Sequence, residues 1–279
     1  MLRASLAAFA VLALALPARA DRVAPVVSPV ERALRVPVVV VGKVTAVEKD
    51  AVDAPLYPGA PQKVAHKIAV VKVGTALAGA DGVTHLKVGF VTADAKLRRG
   101  PDNPELKADQ EWLFFLTKNA SGDFYAIPYM TPPVESSAKD YKAQVAAVTK
   151  ALAAVADPAK ALAAEKAEDR YAAALAIAYK FRTPLEGSGG AVEQVTLTAE
   201  ESRPLLKALA AGSWKGEAGE PALNGYQAFA SLGLGAADGW TPPAAVAGTD
   251  FAETTRAAFI KWLDGPGKDY RVKKLVPKK

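Results

Sequence analysis

The chain of 279 residues contains no cysteine, and it has only two histidines and two methionines. The absence of cysteine excludes disulfides, thiolate metal sites, a cysteine nucleophile and a lipid-modified N-terminal cysteine. The stability of the folded protein must therefore come from packing alone. If the chain is exported, as the N-terminal segment described next predicts, the lack of disulfides is ordinary for a bacterial protein. The predicted destination is then the bacterial periplasm or the cell exterior.

Long apolar runs are also scarce. One run, from Leu6 to Leu16, follows Arg3 and precedes the small-residue pattern Ala18-Arg19-Ala20. This order is typical of a secretory signal peptide and predicts cleavage near Ala20. The run is too short to cross a bilayer of about 30 Å, and no later stretch approaches the ~20 apolar residues that a membrane span needs. The sequence predicts an exported, soluble mature chain with no transmembrane segment.

The chain lacks a strong excess of either charge. Removing the two arginines of residues 1–20 leaves 33 basic and 29 acidic residues, a net charge of +4. Such a weak field, together with export, argues against a nucleic-acid partner. Hydrophobic residues make up 51% and charged residues 23%, which is a globular composition. The length predicts two domains.

From Val36 to about Pro132, apolar residues alternate with polar ones or form short runs rich in Val, Phe and Ile. This pattern predicts five strands, at Val36 to Val47, Lys63 to Val73, Thr84 to Val91, Glu111 to Thr117 and Phe124 to Tyr129. Gly42 predicts a bulge or bend in the first strand. The segment Ala120-Ser121-Gly122-Asp123 predicts a hairpin turn.

After Thr131-Pro132-Pro133 the apolar period changes to 3.6, which predicts helices. We expect helices from Ser136 or Ser137 to Ala156, from Asp157-Pro158 to about Phe181, from Thr198 to Ala211, from Pro221 to Leu232 and from Asp250 onward. The third has a capping box of Thr198 and Glu201. A short strand from Tyr270 to Val276 is predicted to close the chain.

Four segments in the first half resemble one family of small barrels. They are Val38 to Val44, His66 to Val73, Leu86 to Phe90 and Glu111 to Leu116. Their order resembles the netrin-like branch of oligonucleotide/oligosaccharide-binding (OB) folds, the fold of tissue inhibitors of metalloproteinases. The resemblance implies a five-stranded antiparallel barrel with a binding role and contact loops at one rim. It does not carry the inhibitory mechanism, because those inhibitors chelate zinc with an N-terminal cysteine.

The expected fold is therefore α+β, with an N-terminal antiparallel OB-type β-barrel followed by a mostly α-helical domain. The predicted divisions are a signal peptide at residues 1–20, a leader segment at 21–35, the barrel at 36–133 and the helical domain at 134–279. The helical half resembles no family.

Two long segments without a regular period, Asp50 to Gln62 and Thr92 to Asp109, are the predicted contact surface of the barrel. The predicted binding residues are Tyr57, Arg98 and Arg99. These features favour a non-catalytic module in the cell envelope that binds a protein, a peptide or a glycan.

No combination of residues in the sequence is typical of a particular reaction, so no catalytic residue, metal site or cofactor is predicted. His66 and His85 lie in separate predicted strands and lack the close ligand spacing of metal motifs. The alternative to a binding module is an envelope hydrolase with a site at the domain boundary, around His66 and nearby carboxylates. A third hypothesis makes the helices a structural spacer that positions the barrel.

Aromatic residues divide into two groups. The group in the β half is predicted to pack in the core because each ring buries a large area. Its members are Trp112, Phe114, Phe115, Phe124 and Tyr125. Trp214, Tyr226 and Trp240 lie beside Gly and Pro, and we expect them on the outer surface of the helical half, in loops that are candidates for a binding cleft between the domains.

Overall fold

The computed structural model describes residues 27–57, 59–91, 104–128, 131–186, 191–215 and 223–278. Over these ranges the fold is α+β, with a seven-stranded sheet in the first half, seven α-helices and a two-stranded ribbon. The predicted signal peptide lies outside the described residues. No helix within the described ranges is long and apolar enough to cross a membrane.

The strands of the large sheet all precede the second helix. They are β1 Val38–Val47, β2 Val52–Pro55, β3 Lys63–Ala78, β4 His85–Phe90, β5 Glu111–Lys118, β6 Tyr125–Ala126 and β7 Val134–Glu135. The ribbon contains β8 Val192–Thr196 and β9 Lys273–Pro277. The helices are α1 Pro29–Arg35, α2 Tyr141–Ala156, α3 Pro158–Leu162, α4 Ala167–Arg182, α5 Ala199–Ala211, α6 Gly225–Leu232 and α7 Phe251–Asp264.

Five strands form a closed series of pairings. Strand β1 pairs antiparallel with β3 and with β5, β3 pairs antiparallel with β4, and β6 pairs parallel with β4 and antiparallel with β5. Each of these strands thus has two neighbours within the set, and the series returns to β1. Strand β2 extends β3, and β7 adds to β5.

The five predicted strands are present, although the last is shorter than predicted. The segment Asp50 to Gln62, which was predicted to lack regular structure, contains β2, so that prediction is wrong in part. Strand β2 forms because β3 is long enough to pair with it as well as with β1. The predicted bulge is confirmed, since the register between β1 and β3 shifts between Val41 and Gly42. A Cβ atom at Gly42 would stand 2.6 Å from Val71 Cγ1, which explains the glycine.

The two faces of β1 and β5 are buried by different partners. Alternate residues such as Val40 and Phe114 join a cluster formed by the strands themselves. The residues between them pack against helices: Val39, Leu113 and Phe115 form a cluster with Ala33 of α1 and with Tyr141 and Val148 of α2. The sequences of β1 and β5 are nearly continuous apolar runs because both faces of these strands are buried.

The helix predicted from Asp157 to about Phe181 is two helices in the structure. Asp157 caps α3 by accepting from the backbone nitrogen of Lys160, as predicted. The chain then breaks after Leu162, and the Arg170 guanidinium donates to the carbonyls of Ala164 and Glu165, both at 2.7 Å. These bonds satisfy carbonyls that the break leaves without helical partners.

The start of α2 also differs from the prediction. It begins at Tyr141 rather than near Ser136, because the Ser136 nitrogen still donates to the carbonyl of Glu111 in strand β5. The capping box of Thr198 and Glu201 is confirmed. The predicted closing strand is confirmed as β9, whereas its partner β8 was not predicted.

Trp214 and Trp240 are not on the outer surface of the helical half, so that prediction is wrong. Trp214 is fully buried and Trp240 is 5% exposed. Both belong to the core of the helical half, where their rings contact Phe229 and Phe259. Neighbouring Gly and Pro residues suggested a surface loop, but each indole buries a large apolar area, which decides its position.

Helix α1 lies in the segment predicted to be a leader and joins the two halves. Its Leu34 packs with Ala151 of α2 and with Ala176 and Tyr179 of α4. Its Arg32 donates to the carbonyl of Pro132, just before β7, at 2.7 Å. Contacts of α1 with both halves hold the end of α4 close to the β strands.

Candidate binding site

A cleft of about 460 Å³ lies where the segment after β2, the turn after β5 and the chain following α4 come together. This volume is within the range of ligand sites, about 300 to 1,000 Å³. The cleft is lined by Pro55, Leu56, Tyr57, Gly59, Thr117, Lys118, Asn119, Ala120, Ser121, Ala126, Pro128 and Glu186. We call it the rim cleft.

Tyr57 presents an aromatic ring to this cleft. Strand β2 ends at Pro55, and a turn closed by the hydrogen bond from the Ala60 nitrogen to the Tyr57 carbonyl follows it, at 3.0 Å. Gly59 has φ 82°, a left-handed conformation that side chains rarely adopt and that such turns require. Tyr57 is 58% exposed, a value close to that of Val246 at 59%, the most exposed large hydrophobic side chain among the described residues. An aromatic ring left this open is available for stacking.

Asn119 links the two rims of the cleft. Its side-chain nitrogen donates to the carbonyl of Pro55 at 3.3 Å, and its side-chain oxygen accepts from the backbone nitrogen of Ser121 at 2.9 Å. Its backbone nitrogen also donates to the carbonyl of Phe124, which closes the turn predicted at this place. Asn119 therefore positions the turn against the end of β2 and leaves Ser121 at the opening.

The floor of the cleft belongs to a small apolar cluster. Ala126 lines the cleft and packs with Ala54, Ile68 and Phe124 in this cluster. A Cβ atom at Gly89 would stand 2.3 Å from the ring of Phe124, so the ring lies directly on the backbone of β4. This tight packing gives the cleft a rigid base.

His66 is buried next to this floor and does not line the cleft. It is 2% exposed, its ring centroid lies 5.3 Å from that of Phe124, and its Nδ1 lies 2.9 Å from the carbonyl oxygen of Val64. Burial lowers the pKa of the imidazole, against the opposing effects of nearby backbone carbonyls and Asp53. The geometry gives His66 a packing role under the cleft. His85, by contrast, is exposed.

Glu186 comes to the cleft from the other half of the chain. Its backbone nitrogen donates to the carbonyl of Arg35 at 2.7 Å, and its carboxylate lies 3.7 Å from the guanidinium of the same residue. Burial raises the pKa of the Glu186 carboxyl, while Arg35 acts in the opposite direction. The cleft therefore contains one half-buried carboxylate.

Lys118 places a positive charge at the exposed edge of the cleft. Its ammonium group lies 3.9 Å from Asp123, and the two side chains are 66% and 101% exposed. Water and salt screen charges in such positions strongly. The carboxylate of Glu186, whose side chain is 28% exposed, is screened less.

The structure brings one of the three predicted binding residues into the cleft. Tyr57 lines it, whereas Arg98 and Arg99 lie outside the described residues. Sequence reasoning missed Asn119 and Glu186. The turn signal at residues 120–123 points to the place of Asn119, but nothing in the sequence near Glu186 indicates that it lines a cleft with the turn after β5.

A larger concavity, of about 1,010 Å³, lies between α2, α3, α4 and the start of α1. Alanine side chains provide most of its lining, and Lys150 forms an ion pair with Asp169 at its edge. Binding sites combine apolar walls with a few polar groups that converge on the ligand and fix its orientation. The rim cleft has this combination, and the larger concavity also has polar side chains, among them Gln144, Lys150 and Asp169.

Comparison with known proteins identifies no relative whose role could be assigned to this chain. No known protein family, no curated protein and no solved structure matches this chain. In the part of the chain that the structure describes, no group of three or more histidine or acidic residues is arranged to hold a metal ion. The case for a function therefore rests on the rim cleft.

Proposed function

We propose that this protein is an exported, non-catalytic binding module of the cell envelope that recognises a glycan through the rim cleft. We also propose that the closed series of strands β1, β3, β4, β6 and β5 is an OB-type barrel. The pairing order supports this, since each of the five strands has two neighbours in the series. The resemblance of the first half to netrin-like barrels points the same way.

The position of the cleft is the observation that carries the proposal. Counting only the five strands of the closed series, Tyr57 lies between the first and second, and Ser121 lies between the fourth and fifth. These two connections are the ones with which OB folds bind oligosaccharides and oligonucleotides. A cleft of about 460 Å³ between them is therefore in the expected place for a ligand.

The chemistry of the lining favours a glycan over the other proposed ligands. A sugar has apolar ring faces that can lie on an exposed aromatic ring such as Tyr57, and hydroxyl groups that need hydrogen-bonding partners. The hydroxyls of Thr117 and Ser121 and the carboxylate of Glu186 supply such partners. Binding of a peptide or protein ligand instead is a contrary outcome of the test below.

The test replaces Tyr57 with alanine and measures binding to an array of neutral, acidic and amino oligosaccharides. We expect Tyr57→Ala to weaken binding about tenfold or more, because the ligand would no longer cover an apolar ring, and burying a large apolar side chain contributes roughly 1.5 to 3 kcal/mol. Tyr57→Phe keeps the ring and is expected to retain most of the affinity. Val246→Ala, at an exposed residue outside the cleft, is the matched control.

Two outcomes contradict the proposal. Binding of oligosaccharides that Tyr57→Ala leaves unchanged would place the ligand elsewhere on the protein. Binding of peptides but of no oligosaccharide would replace the glycan with a peptide ligand. Melting temperatures of all variants should stay close to that of the unmodified protein, since Tyr57 is 58% exposed.

A further inference from the structure

The side chains of the rim cleft differ in whether their hydrogen-bonding groups already have partners within the protein. Asn119 is engaged at both ends of its side-chain amide, by the Pro55 carbonyl and the Ser121 nitrogen. The carboxylate of Glu186 is not, because its distance of 3.7 Å from Arg35 is longer than a hydrogen bond. A carboxylate can accept about four hydrogen bonds, so Glu186 retains acceptor capacity toward the cleft.

Arg35 is held by another partner, which limits its hold on Glu186. Its Nε donates to the hydroxyl of Tyr179 at 2.7 Å, and its guanidinium lies 5.8 Å from the centre of that ring. These contacts direct the guanidinium toward α4. Glu186 is thus tethered by its backbone while its charge is only partly compensated.

Burial disfavours the charged form of this carboxyl, but it also reduces the screening between the carboxylate and a cation in the cleft. The side chain of Glu186 is 28% exposed, so water screens it incompletely. The opposite charge of Lys118 is at the exposed edge and is shared with Asp123. The exposed face of Tyr57, which lines the same cleft, also attracts cations through its negative face.

From these contacts we infer that the rim cleft selects a glycan that carries free amino groups, and that Glu186 receives the ammonium group. This inference rests on the proposed function and adds the charge of the ligand to it. The half-buried carboxylate from the helical half supplies a contact that the barrel loops by themselves do not. The helical half thereby takes part in ligand selection, which a spacer would not do.

Two oligosaccharides of the same length test the inference, a tetramer of glucosamine and a tetramer of N-acetylglucosamine. They differ in the amino group, which is protonated in the first at pH 6 and is a neutral amide in the second. We expect the unmodified protein to bind the glucosamine tetramer about tenfold more tightly, as measured by calorimetry. Glu186→Gln keeps the size of the side chain and should remove this preference.

Glu193→Gln is the matched control, because Glu193 is an exposed carboxylate on β8 outside the cleft. It should leave the preference unchanged. Raising the salt concentration should reduce the preference of the unmodified protein and leave Glu186→Gln unaffected.

The outcomes separate this inference from the proposed function. Equal binding of the two tetramers, with both weakened by Tyr57→Ala, would overturn the amino-group inference and leave the glycan site in place. Binding of neither tetramer or any other oligosaccharide would overturn the proposed function itself. Tighter binding of the peptide Gly-Lys-Gly-Gly than of the glucosamine tetramer, lost in Glu186→Gln, would overturn the glycan in favour of a basic peptide.

Discussion

The ammonium group of Lys180 is partly buried where α1 and α4 meet. Its ammonium group donates to the carbonyl of Leu34 at 2.7 Å. Burial lowers the pKa of Lys180 to about 8, and the charge of Lys274 acts in the same direction. The carbonyl bond gives the ammonium one partner, but it does not replace all the water that burial removes.

Stability should therefore rise with pH in the window set by Lys180. The unfolded chain holds this proton up to about pH 10.4, whereas the folded chain releases it near pH 8. Between these values the unfolded state binds more protons, so the free energy of unfolding increases as pH rises. Urea denaturation from pH 7 to 10 should show this increase in the unmodified protein relative to Lys180→Met.

Lys207→Met, at an exposed position on α5, is the control and should leave the pH dependence as it is. An unmodified protein and a Lys180→Met variant whose stabilities run parallel from pH 7 to 10 would contradict the burial of this ammonium group.

At the level of elements, the parallel pairing of β4 with β6 depends on a close approach between backbone and side chain. Phe124, just before β6, lies against Gly89 of β4 and against Gly122 of the preceding turn. A Cβ atom at either glycine would stand 2.3 Å from the ring. The pairing that completes the strand series therefore requires the absence of side chains at both positions.

Gly89→Ala should destabilise the protein by about 1 to 3 kcal/mol, the usual cost of overpacking a tight core. The added methyl group must displace Phe124, which also contacts His66, so the floor of the rim cleft should shift. Thermal unfolding checks the first effect, and oligosaccharide binding checks the second. Gly235→Ala is the control, because a Cβ atom there meets nothing within 4 Å. Equal stability of the two variants would contradict the packing described for Phe124.

At the level of the whole molecule, the two halves share a core instead of meeting at polar surfaces. Val39, Leu113 and Phe115 on the outside of the strands are covered by α1 and α2. Leu34 of α1 is covered in turn by α2 and α4. The spacer hypothesis expects strands that are complete without the helices, and this burial argues against it.

A chain that ends after Pro133 should therefore lose most of its stability. Each large apolar side chain that truncation uncovers gives up roughly 1.5 to 3 kcal/mol of burial, and the covering residues Tyr141 and Val148 would both be missing. Circular dichroism and binding of a hydrophobic dye, compared with the full chain, measure the loss. A truncated chain that unfolds cooperatively at the same temperature and binds the same oligosaccharides would support the spacer hypothesis.

Local features were predictable where the chemistry lies within a few residues. The turn closed at Asn119, the cap of α3 at Asp157 and the capping box of Thr198 each depend on neighbours in the chain. The failures concern partners that belong to other elements of the structure. Strand β2 is defined by pairing with β3, and Trp214 is buried by rings of α6 and α7.

The candidate site divides in the same way. Tyr57 was predicted because proline-rich loops of small barrels are exposed contact surfaces, and the structure leaves it 58% exposed in the cleft. Glu186 was not predicted, because its place is decided by the bond of its backbone to Arg35 across the junction of the two halves. No local pattern encodes such a contact.

By itself the sequence determined the change from strands to helices near residue 133, the absence of cysteine chemistry and the apolar patterns that bury both faces of β1 and β5. These properties follow from residue type and spacing, which act over one or two turns of chain. Only the tertiary structure decided which loops meet and that α1 joins the two halves. It also decided that the half-buried carboxylate of Glu186 and the exposed ring of Tyr57 line the same cleft. The reason is physical: burial and charge screening depend on every segment packed around a group, and those segments come from distant parts of the chain.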